Sequence, residues 1–503
     1  MSENSAHRPN VLFVIIDQLR ADCLTGELAH VGALPNLTAL KDDAVSFENN
    51  FSVCAPCGPS RASILTGQYS SNHGSVRNGT PLKADTPNLA TEAIKLGYEP
   101  RLYGYTDSAR DPRGLAPDDP ALFSYEEVMQ GFTEVVRQRL EDDAGPWRDH
   151  LVAKGYDPAP YPDLYRPVNG EIDGPAIYSA EDSDTAFLTD ATIADLKDQP
   201  PGWFAHVTYI RPHPPFVAPS PYNKMYDPVA MPKAAERIAV EHPFIGPSLE
   251  KSHVGSVVEG VADIAPSAET TAKIRAVYMG LAREVDHHVG RLIGFLKETG
   301  QYDDTLIVVT SDHGELLGDY DAWGKSHFYD AAFKTALIIR DPRAPGSHGR
   351  VVMEPTESVD VTPSMLDLLG GDIPHSMDGH SLRSFVEGDS PQSWRAHSFS
   401  ELDFGDPVTP TIWQQQLGVH SSEANLAVLR TKTHRLVHFG ADWPQILFDM
   451  TGDGEARDVA GDPANAAICL DLTRQMLCHR MQNTEGTFAK TMVTTQGVQV
   501  GRC

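Results

Sequence analysis

The sequence predicts an α/β protein in which helices cover both faces of a large, mostly parallel sheet, followed by a small α+β domain with an antiparallel sheet. Apolar, β-branched runs alternate with helical segments up to about residue 390, as parallel sheets with crossover helices require. Beyond that point the apolar runs are short and closely spaced, which favours antiparallel strands. The 503 residues also exceed what one hydrophobic core usually supports. We therefore expect an α/β domain at 1–390, a small domain at 391–482 and a C-terminal arm at 483–503.

The strands of the large sheet are predicted from runs that lack polar alternation, which is typical of strands buried on both faces. In chain order these runs are Asn10–Ile16, Arg101–Tyr105, Trp203–Ile210, Thr305–Thr310 and Thr335–Ile339. The segment Asp111–Gly202 is rich in Pro, Asp and Glu and has weak periodicity. We expect it to form irregular insertions around the rim of the site.

The helices are predicted from apolar periodicity and from terminal signals. They are Pro35–Ala44, Pro87–Leu96 with Thr86 as its cap and Gly97 as its stop, Thr270–Thr299 and Thr362–Leu369. In the small domain we expect strands at Leu426–Leu429, Arg435–Phe439 and Ile446–Asp449, then a helix at Pro463–Met481.

Composition limits the partners and the compartment. The formal net charge of −28 argues against nucleic acid and against an anionic membrane. The segment Met1–Pro9 is polar, and the apolar run Val11–Ile16 is too short for the core of a signal peptide, so we expect none. Six cysteines in 503 residues do not indicate a disulfide framework. We expect a cytoplasmic protein.

Cys57 begins the most informative motif, Cys57-Gly58-Pro59-Ser60-Arg61. Proline suits the first turn of a helix, so Cys57 is predicted at a helix N-terminus, where free N–H groups favour an anionic oxygen. Arg61, one turn later, can form a forked contact with an oxyanion. The same stretch is also a C-x-x-C, so a redox pair of Cys54 and Cys57 is an alternative.

Two predicted strands end in potential metal ligands. Asp17 follows the first strand, and Asp312 and His313 follow the strand at Thr305–Thr310. Because ligands bind beyond the carboxyl ends of parallel strands, we expect these side chains to meet near Cys57. An oxygen-rich set with one imidazole suits a single Ca²⁺ or Mn²⁺ ion.

Further polar candidates follow strands or turns. His213 lies in a proline-rich turn, and Lys325 lies shortly after the Asp312 segment, where it suits an anion clamp. Asn78 lies in a turn, and Tyr105 and Thr106 follow a strand, from which they can donate hydrogen bonds to a substrate.

With these residues, the chain resembles the type I sulfatase branch of the alkaline phosphatase superfamily, and most closely the bacterial phosphonate monoester hydrolases and their promiscuous arylsulfatase relatives. The stretches that support this resemblance are NVLFVIIDQLRADC, CGPSRASILTG, GYTDSARDPRG, YIRPHPPFVAPSPYNKMY, TLIVVTSDHGELLGD and LFDMTGDGEARDVAGDPA. The resemblance implies an alkaline phosphatase-like catalytic domain. It also implies that a maturation enzyme oxidises Cys57 to formylglycine.

The resemblance assigns site residues as well. It implies metal ligands at Asp17, Cys57, Asp312 and His313, and substrate contacts at Arg61, Asn78, Tyr105, His213 and Lys325. Asp107 stands where the family pattern has a threonine, and the neutral Gln18 stands where many sulfatases have a second aspartate.

The activity that the resemblance implies is hydrolysis of small anionic esters, namely sulfate monoesters, phosphonate monoesters and phosphodiesters, through a covalent adduct of the formylglycine diol. In that scheme His213 or Lys325 protonates the leaving group. A homo-oligomer, a dimer or a tetramer, is expected as well. The competing hypotheses are a thiol redox protein and a catalytically silent member of the fold that binds anions.

Overall fold

The computed structural model describes residues 8–141, 144–237, 242–486 and 491–500. The strands in these residues are Asn10–Ile16 (β1), Val45–Phe51 (β2), Cys54–Ala55 (β3), Pro100–Gly104 (β4), Thr133–Arg137 (β5), Phe204–Tyr209 (β6), Thr305–Ser311 (β7), Lys334–Arg340 (β8), Val351–Val352 (β9), Thr356–Glu357 (β10), His397–Asp403 (β11), Asn425–Thr431 (β12), His434–Phe439 (β13), Ile446–Asp449 (β14), Thr491–Thr494 (β15) and Gly497–Val500 (β16).

The α-helices in the same residues are Asp22–Thr25 (α1), Glu27–Val31 (α2), Pro35–Asp42 (α3), Cys57–Thr66 (α4), Ser70–His73 (α5), Leu89–Lys95 (α6), Gly145–Ala153 (α7), Asp184–Leu196 (α8), Ile245–Lys251 (α9), Ala268–Glu298 (α10), Asp330–Phe333 (α11), Val361–Leu368 (α12), Arg383–Val386 (α13), Ile412–Leu417 (α14) and Ala466–Gln482 (α15). Among the described residues, no helix is both long enough and apolar enough to cross a lipid bilayer.

The large sheet has the strand order β10-β2-β8-β7-β1-β6-β4-β5, and β9 also pairs with β2. Strands β7, β1, β6, β4 and β5 run parallel to one another, whereas β8 is antiparallel to both β7 and β2. The prediction of a large, mostly parallel sheet is confirmed.

Strand β1 lies in the middle of this sheet and is buried on both faces. Its side chains at 11, 13 and 15 belong to a core that also contains residues of α4, α6 and α12. Those at 12, 14 and 16 belong to a second core, formed largely with the long helix α10. Because both faces are covered, the strand is apolar throughout, which explains why its bounds were predictable from the sequence.

The segment Asp111–Gly202 is more regular than its sequence predicts. It contains β5, which pairs with β4 at the edge of the large sheet, and the helices α7 and α8. Helix α8 buries Thr185, Thr189 and Thr192 beside its alanines and leucines. Because threonine counts as polar in an apolar pattern, this helix was not visible in the sequence.

The cap of α6 also differs from the prediction. Asn88, not Thr86, is the N-cap, because its side-chain oxygen accepts the N–H groups of Ala90 and Thr91. Asn is among the strongest N-cap residues, so the helix begins two residues later than expected.

A second sheet has the order β14-β13-β12-β11-β3. Strands β11, β12, β13 and β14 are antiparallel to their neighbours among these four, as predicted for this region, although β11 itself was not predicted. The short strand β3 pairs in parallel with β11 and immediately precedes the Cys57 motif. The predicted boundary at residue 390 falls between α13 and β11. In the predicted arm, β15 and β16 form a hairpin, whereas residues 487–490 and 501–503, like 1–7 at the N-terminus, lie outside the described part.

Candidate active site

Two carboxylates meet at the carboxyl ends of β1 and β7. These strands are parallel neighbours with Ile16 opposite Ser311, so the next residues, Asp17 and Asp312, lie side by side. The N–H of Gln18 donates to Asp312 Oδ1 at 3.0 Å. Gln18 has a φ of 65°, which turns the chain away from the sheet just after the first carboxylate.

Helix α4 brings Cys57 to the same place. Cys57 is the first residue of the helix, as the motif predicts, and all ten residues of α4 are buried. The Ser60 hydroxyl donates to the main-chain oxygen of Asp312 at 2.5 Å, which fastens the first turn of α4 to the end of β7. The Gly58 N–H donates to Asn78 Oδ1 at 3.0 Å, so Asn78 adjoins the helix N-terminus.

Four potential metal ligands converge there. One ligand atom from each of Asp17, Cys57, Asp312 and His313 lies within 4.8 Å of all the others, and all four residues are buried. His313 Nδ1 faces the carbonyl oxygen of Gly314 at 3.0 Å and therefore has the proton, which leaves a lone pair on Nε2. That Nε2 lies 3.2 Å from Cys57 Sγ, inside the cluster. The donor set therefore fits one divalent ion, held by these residues.

Arg61 binds the carboxylates of this cluster. Its Nη2 donates to Asp17 Oδ2 at 2.9 Å and its Nε donates to Asp312 Oδ2 at 3.0 Å, while the side chain is fully buried. Its guanidinium carbon lies 4.0 Å from the centre of the Tyr105 ring. Buried carboxylates need a paired cation, because no water screens them. The forked contact predicted for Arg61 therefore exists, but with the two aspartates.

The side chains of His213, Lys325 and Cys57 form a short series of polar contacts. Lys325 Nζ lies 3.2 Å from Cys57 Sγ, 2.9 Å from His213 Nε2 and 2.7 Å from Gln18 Oε1. His213 Nδ1 lies 2.5 Å from the carbonyl oxygen of Pro214, so that nitrogen has the proton and Nε2 accepts from Lys325.

Lys325 and His213 differ in charge. Burial opposes the charged form of Lys325, but the neighbouring Cys57, Asp17 and Asp312 outweigh burial and raise the pKa of Lys325 above its usual range. Burial, assisted by the Lys325 ammonium, lowers the pKa of His213 well below its usual value. Lys325 is thus the cation of the pair and His213 the neutral base.

The remaining predicted substrate contacts lie at different distances from the cluster. Tyr105 belongs to it, since its hydroxyl donates to Asp17 and accepts from Arg61 Nη2. Thr106 faces away, because its hydroxyl donates to the Glu127 carbonyl at 3.1 Å and accepts from the Met129 N–H at 2.8 Å. The Thr106 hydroxyl is thus hydrogen-bonded to the main chain at Glu127 and Met129.

Glu315 is a residue of the site that sequence reasoning missed. It is fully buried and accepts N–H groups from Leu317 at 2.9 Å and Gly324 at 2.6 Å. Its other oxygen accepts from Gln18 Nε2, and Gln18 in turn holds Lys325. The only signal in the sequence was its place two residues after His313.

Asp107 is a further acid near the cluster. It has a φ of 51° and is 7% exposed, and its main-chain oxygen lies close to Gly58 at the start of α4. Burial and the nearby Glu126 raise the pKa of Asp107 to about 8, although Arg61 opposes this shift.

The two cysteines of the C-x-x-C have different surroundings. Cys54 is a free, buried thiol that contacts the Ser63 hydroxyl at 3.3 Å, whereas Cys57 faces His313 and Lys325. Burial raises the pKa of Cys54 to about 12, and burial together with the Asp17 carboxylate also raises the pKa of Cys57. Redox-active thiols need the opposite shift, so these surroundings disfavour the redox hypothesis.

Comparison with known proteins gives matches over most of the chain. The profile of the sulfatase family matches residues 9–371, and the profile of the N-sulphoglucosamine sulphohydrolase C-terminal region matches residues 318–482. The multifunctional alkaline phosphatase superfamily protein PehA of Trinickia caryophylli is 34% identical over 98% of this chain and 99% of its own.

Two solved structures are similar over almost the entire chain. The phosphonate monoester hydrolase SpPMH from Silicibacter pomeroyi is 54% identical with a TM-score of 0.95, and covers 98% of this chain and 99% of its own. The phosphonate monoester hydrolase of Agrobacterium radiobacter is 39% identical with a TM-score of 0.93, and covers 99% of this chain and 100% of its own.

Proposed function

Because the chain belongs to the sulfatase family of the alkaline phosphatase superfamily, we propose that it is a formylglycine-dependent, metal-assisted hydrolase of sulfate monoesters, phosphonate monoesters and phosphodiesters. The observation that supports this most directly is the convergence of Asp17, Cys57, Asp312 and His313 within 4.8 Å. The Lys325 ammonium also lies 3.2 Å from Cys57 Sγ.

The proposed cofactors are one Mn²⁺ or Ca²⁺ ion and a formylglycine made from Cys57 by a maturation enzyme. Asp17, Asp312, His313 and residue 57 would hold the ion, which supplies Lewis-acid polarisation of oxygen at neutral pH. The formylglycine supplies, as its hydrate, a geminal diol that no standard side chain provides, and one hydroxyl of that diol can act as a nucleophile.

The chain's own residues supply charge and protons around that centre. Lys325 places a positive charge beside residue 57, where it stabilises the negative charge on a transferred sulfuryl or phosphoryl group. Arg61 acts mainly through the metal ligands, because its guanidinium holds the carboxylates of Asp17 and Asp312 in place.

Proton transfer to the leaving group is assigned to the Lys325–His213 pair. His213 Nδ1–H is fixed on the Pro214 carbonyl, so its Nε2 is left to accept from Lys325 Nζ. Lys325 holds the proton and donates it to the departing oxygen, while His213 Nε2 accepts a hydrogen bond from the Lys325 ammonium and positions it.

The proposed substrates share one feature, a tetrahedral sulfur or phosphorus centre with a single negative charge. Two similar structures are phosphonate monoester hydrolases, which supports the phosphonate esters, and the matching family is that of sulfatases, which supports the sulfate esters.

A comparison of rates on three 4-nitrophenyl esters tests this function. Wild-type protein loaded with Mn²⁺ or Ca²⁺ is expected to hydrolyse the sulfate, the phenylphosphonate and the phosphodiester. Cys57→Ala is expected to lower each rate by at least about 10³-fold, as loss of a nucleophile does, with an unchanged circular dichroism spectrum. Wild-type protein that hydrolyses none of the three would instead support a silent anion-binding member of the fold, and near-wild-type rates in Cys57→Ala would overturn the role of residue 57.

We also propose a homo-oligomer and a cytoplasmic location. The hairpin of β15 and β16 exposes Met492, Val493 and Val498, which are 66%, 82% and 63% accessible, and an isolated two-stranded hairpin is marginally stable in water. A second copy of the chain would cover these side chains. The described cysteines are free thiols, which suits a reducing compartment.

A further inference from the structure

We infer that Arg211 is a positioning residue that holds His213 against Lys325, and that Asp184 in turn holds Arg211. This inference rests on the proposed function, since it concerns the Lys325–His213 pair assigned there to proton transfer. Neither Arg211 nor Asp184 contacts Lys325 or the metal-ligand cluster through any hydrogen bond found in the described residues.

The turn after β6 has few hydrogen bonds of its own. Pro212, Pro214 and Pro215 have no N–H groups, so this segment cannot form the usual main-chain ladder. The His213 N–H donates to the Ile210 carbonyl at 3.0 Å, and this is the bond through which His213 joins the end of the strand.

Arg211 supplies the missing donors from its side chain. Its Nη1 donates to the carbonyl oxygen of His213 at 2.8 Å and to that of Pro215 at 3.1 Å. The guanidinium thereby ties together the main chain on both sides of Pro214, whose own carbonyl oxygen fixes His213 Nδ1. The main chain of His213 and the Pro214 carbonyl that holds its Nδ1 therefore both depend on the conformation that Arg211 imposes on the turn.

The guanidinium is itself held in a fixed place. Arg211 is fully buried, its Nε donates to Asp184 Oδ2 at 3.1 Å, and its guanidinium carbon lies 4.2 Å from the centre of the Tyr165 ring. Asp184 is 1% exposed, and its other oxygen accepts the Thr185 N–H at 2.8 Å in the first turn of α8. The turn that bears His213 is therefore anchored to the first turn of α8, the helix that precedes β6 in the chain.

Lysine cannot replace this arrangement. A guanidinium is planar and directs several N–H groups along fixed directions, whereas an ammonium is a point charge on a flexible chain. Arg211→Lys keeps the buried charge beside Asp184 but cannot bridge Asp184 and two carbonyls at once. The expected consequence is a displaced His213 with the sheet and the metal ligands unchanged.

A double-mutant cycle with His213→Ala tests the inference, with phenyl and 4-nitrophenyl phenylphosphonate as substrates. The phenyl ester needs more help from an acid, because phenoxide is the poorer leaving group. Arg211→Lys is expected to lower kcat/KM about tenfold for the phenyl ester and about twofold for the 4-nitrophenyl ester, as a misplaced proton donor would. In the His213→Ala background, Arg211→Lys is expected to change neither rate by more than about twofold.

Arg275→Lys is the matched control. Arg275 is also buried and also donates to two carbonyls and one carboxylate, at Leu317 (3.0 Å), Pro232 (2.8 Å) and Asp319 (2.6 Å). Its loss should destabilise the protein comparably without making the rate more dependent on the leaving group.

Asp184→Asn provides a second variant that keeps the shape of the carboxylate and weakens its hold on Arg211. If Arg211→Lys does not fold, Asp184→Asn replaces it in the experiment. Asp184→Asn should cause the same dependence on the leaving group, to a smaller degree. Equal losses for both esters, losses that persist in His213→Ala, or a matching effect of Arg275→Lys would overturn the inference while the proposed function stands. Wild-type protein inactive on every ester would overturn the proposed function and this inference with it.

Discussion

At the scale of single residues, the Asp312 carboxylate is held by three hydrogen bonds. Its Oδ1 accepts the N–H groups of Gln18 and His313, and its Oδ2 accepts Arg61 Nε. These bonds fix the orientation of the carboxylate between Asp17 and His313. Such fixation favours binding of a metal ion, because the ligands need little reorganisation.

Asp312→Ala is expected to remove the bound metal. Loss of one of the four proposed ligands should weaken metal affinity by at least about 100-fold, because loss of a residue that only supports a ligand already costs up to about 100-fold. Elemental analysis of the purified, dialysed protein measures this directly. Asp341→Ala is the control, since Asp341 is 4% exposed and is bonded to Arg343, outside the cluster. Full metal content in Asp312→Ala would contradict the assigned ligand set.

The sequence predicted which residues meet at this site but not all of their bonds. Strand ends and a helix start place Asp17, Asp312 and Cys57 together, and these are local signals. The pairing of Arg61 with both aspartates depends on side-chain contacts between distant segments, which no local pattern encodes. The bridge from Glu315 through Gln18 to Lys325 is of the same kind.

At the scale of elements, helix α4 depends on how it ends as well as on how it begins. Gly67 follows its last turn with a φ of 65°, and a Cβ there would lie 3.1 Å from Pro363 and 3.2 Å from Met377. Glycine is therefore required both by the left-handed backbone and by the close neighbours.

Gly67→Ala is expected to lower the free energy of unfolding by about 2–5 kcal/mol, since left-handed strain and crowding both oppose the methyl group. Gly418→Ala separates the two causes, because Gly418 ends α14 with a φ of 67° but has nothing within 4 Å. That variant should lose only about 1–2 kcal/mol. Chemical denaturation of both variants beside wild type measures the difference, and equal losses would show that crowding at Gly67 is unimportant.

Elements differed in how visible they were in the sequence. Strand β1 is buried on both faces, so its apolar run gave its bounds directly. Strand β5 lies at the sheet edge and is only half buried, so its pattern is weak. Helix α8 relies on buried threonines, and the start of α6 was decided by the side chain of Asn88 rather than by the earlier Thr86.

At the scale of the whole molecule, the second sheet is joined to the site. Strand β3 pairs with β11 at Glu401 and Leu402 and leads directly into Cys57. A cluster of buried side chains also includes residues of both sheets, among them Phe51 and Phe439. The C-terminal region thereby supports the segment that leads into Cys57 at the start of α4, which composition alone did not reveal.

The exposed hairpin predicts how copies of the chain associate. Val493→Lys places a charge on the apolar surface proposed to be covered by a second copy, so it should lower the molar mass in solution, measured by light scattering after size-exclusion chromatography. Val229→Lys is the control, because Val229 is 91% exposed in a turn outside the hairpin. A monomeric wild type, or an unchanged mass in Val493→Lys, would refute a role of the hairpin in association.

Residue 57 is proposed to act as an oxidised side chain within the cluster of Asp17, Asp312 and His313. Peptide mass spectrometry of wild-type protein with measured esterase activity tests it most directly. An aldehyde at residue 57, trapped by a hydrazide reagent in proportion to the activity of each preparation, is the predicted result. An intact thiol at residue 57 in a fully active preparation would contradict the claim.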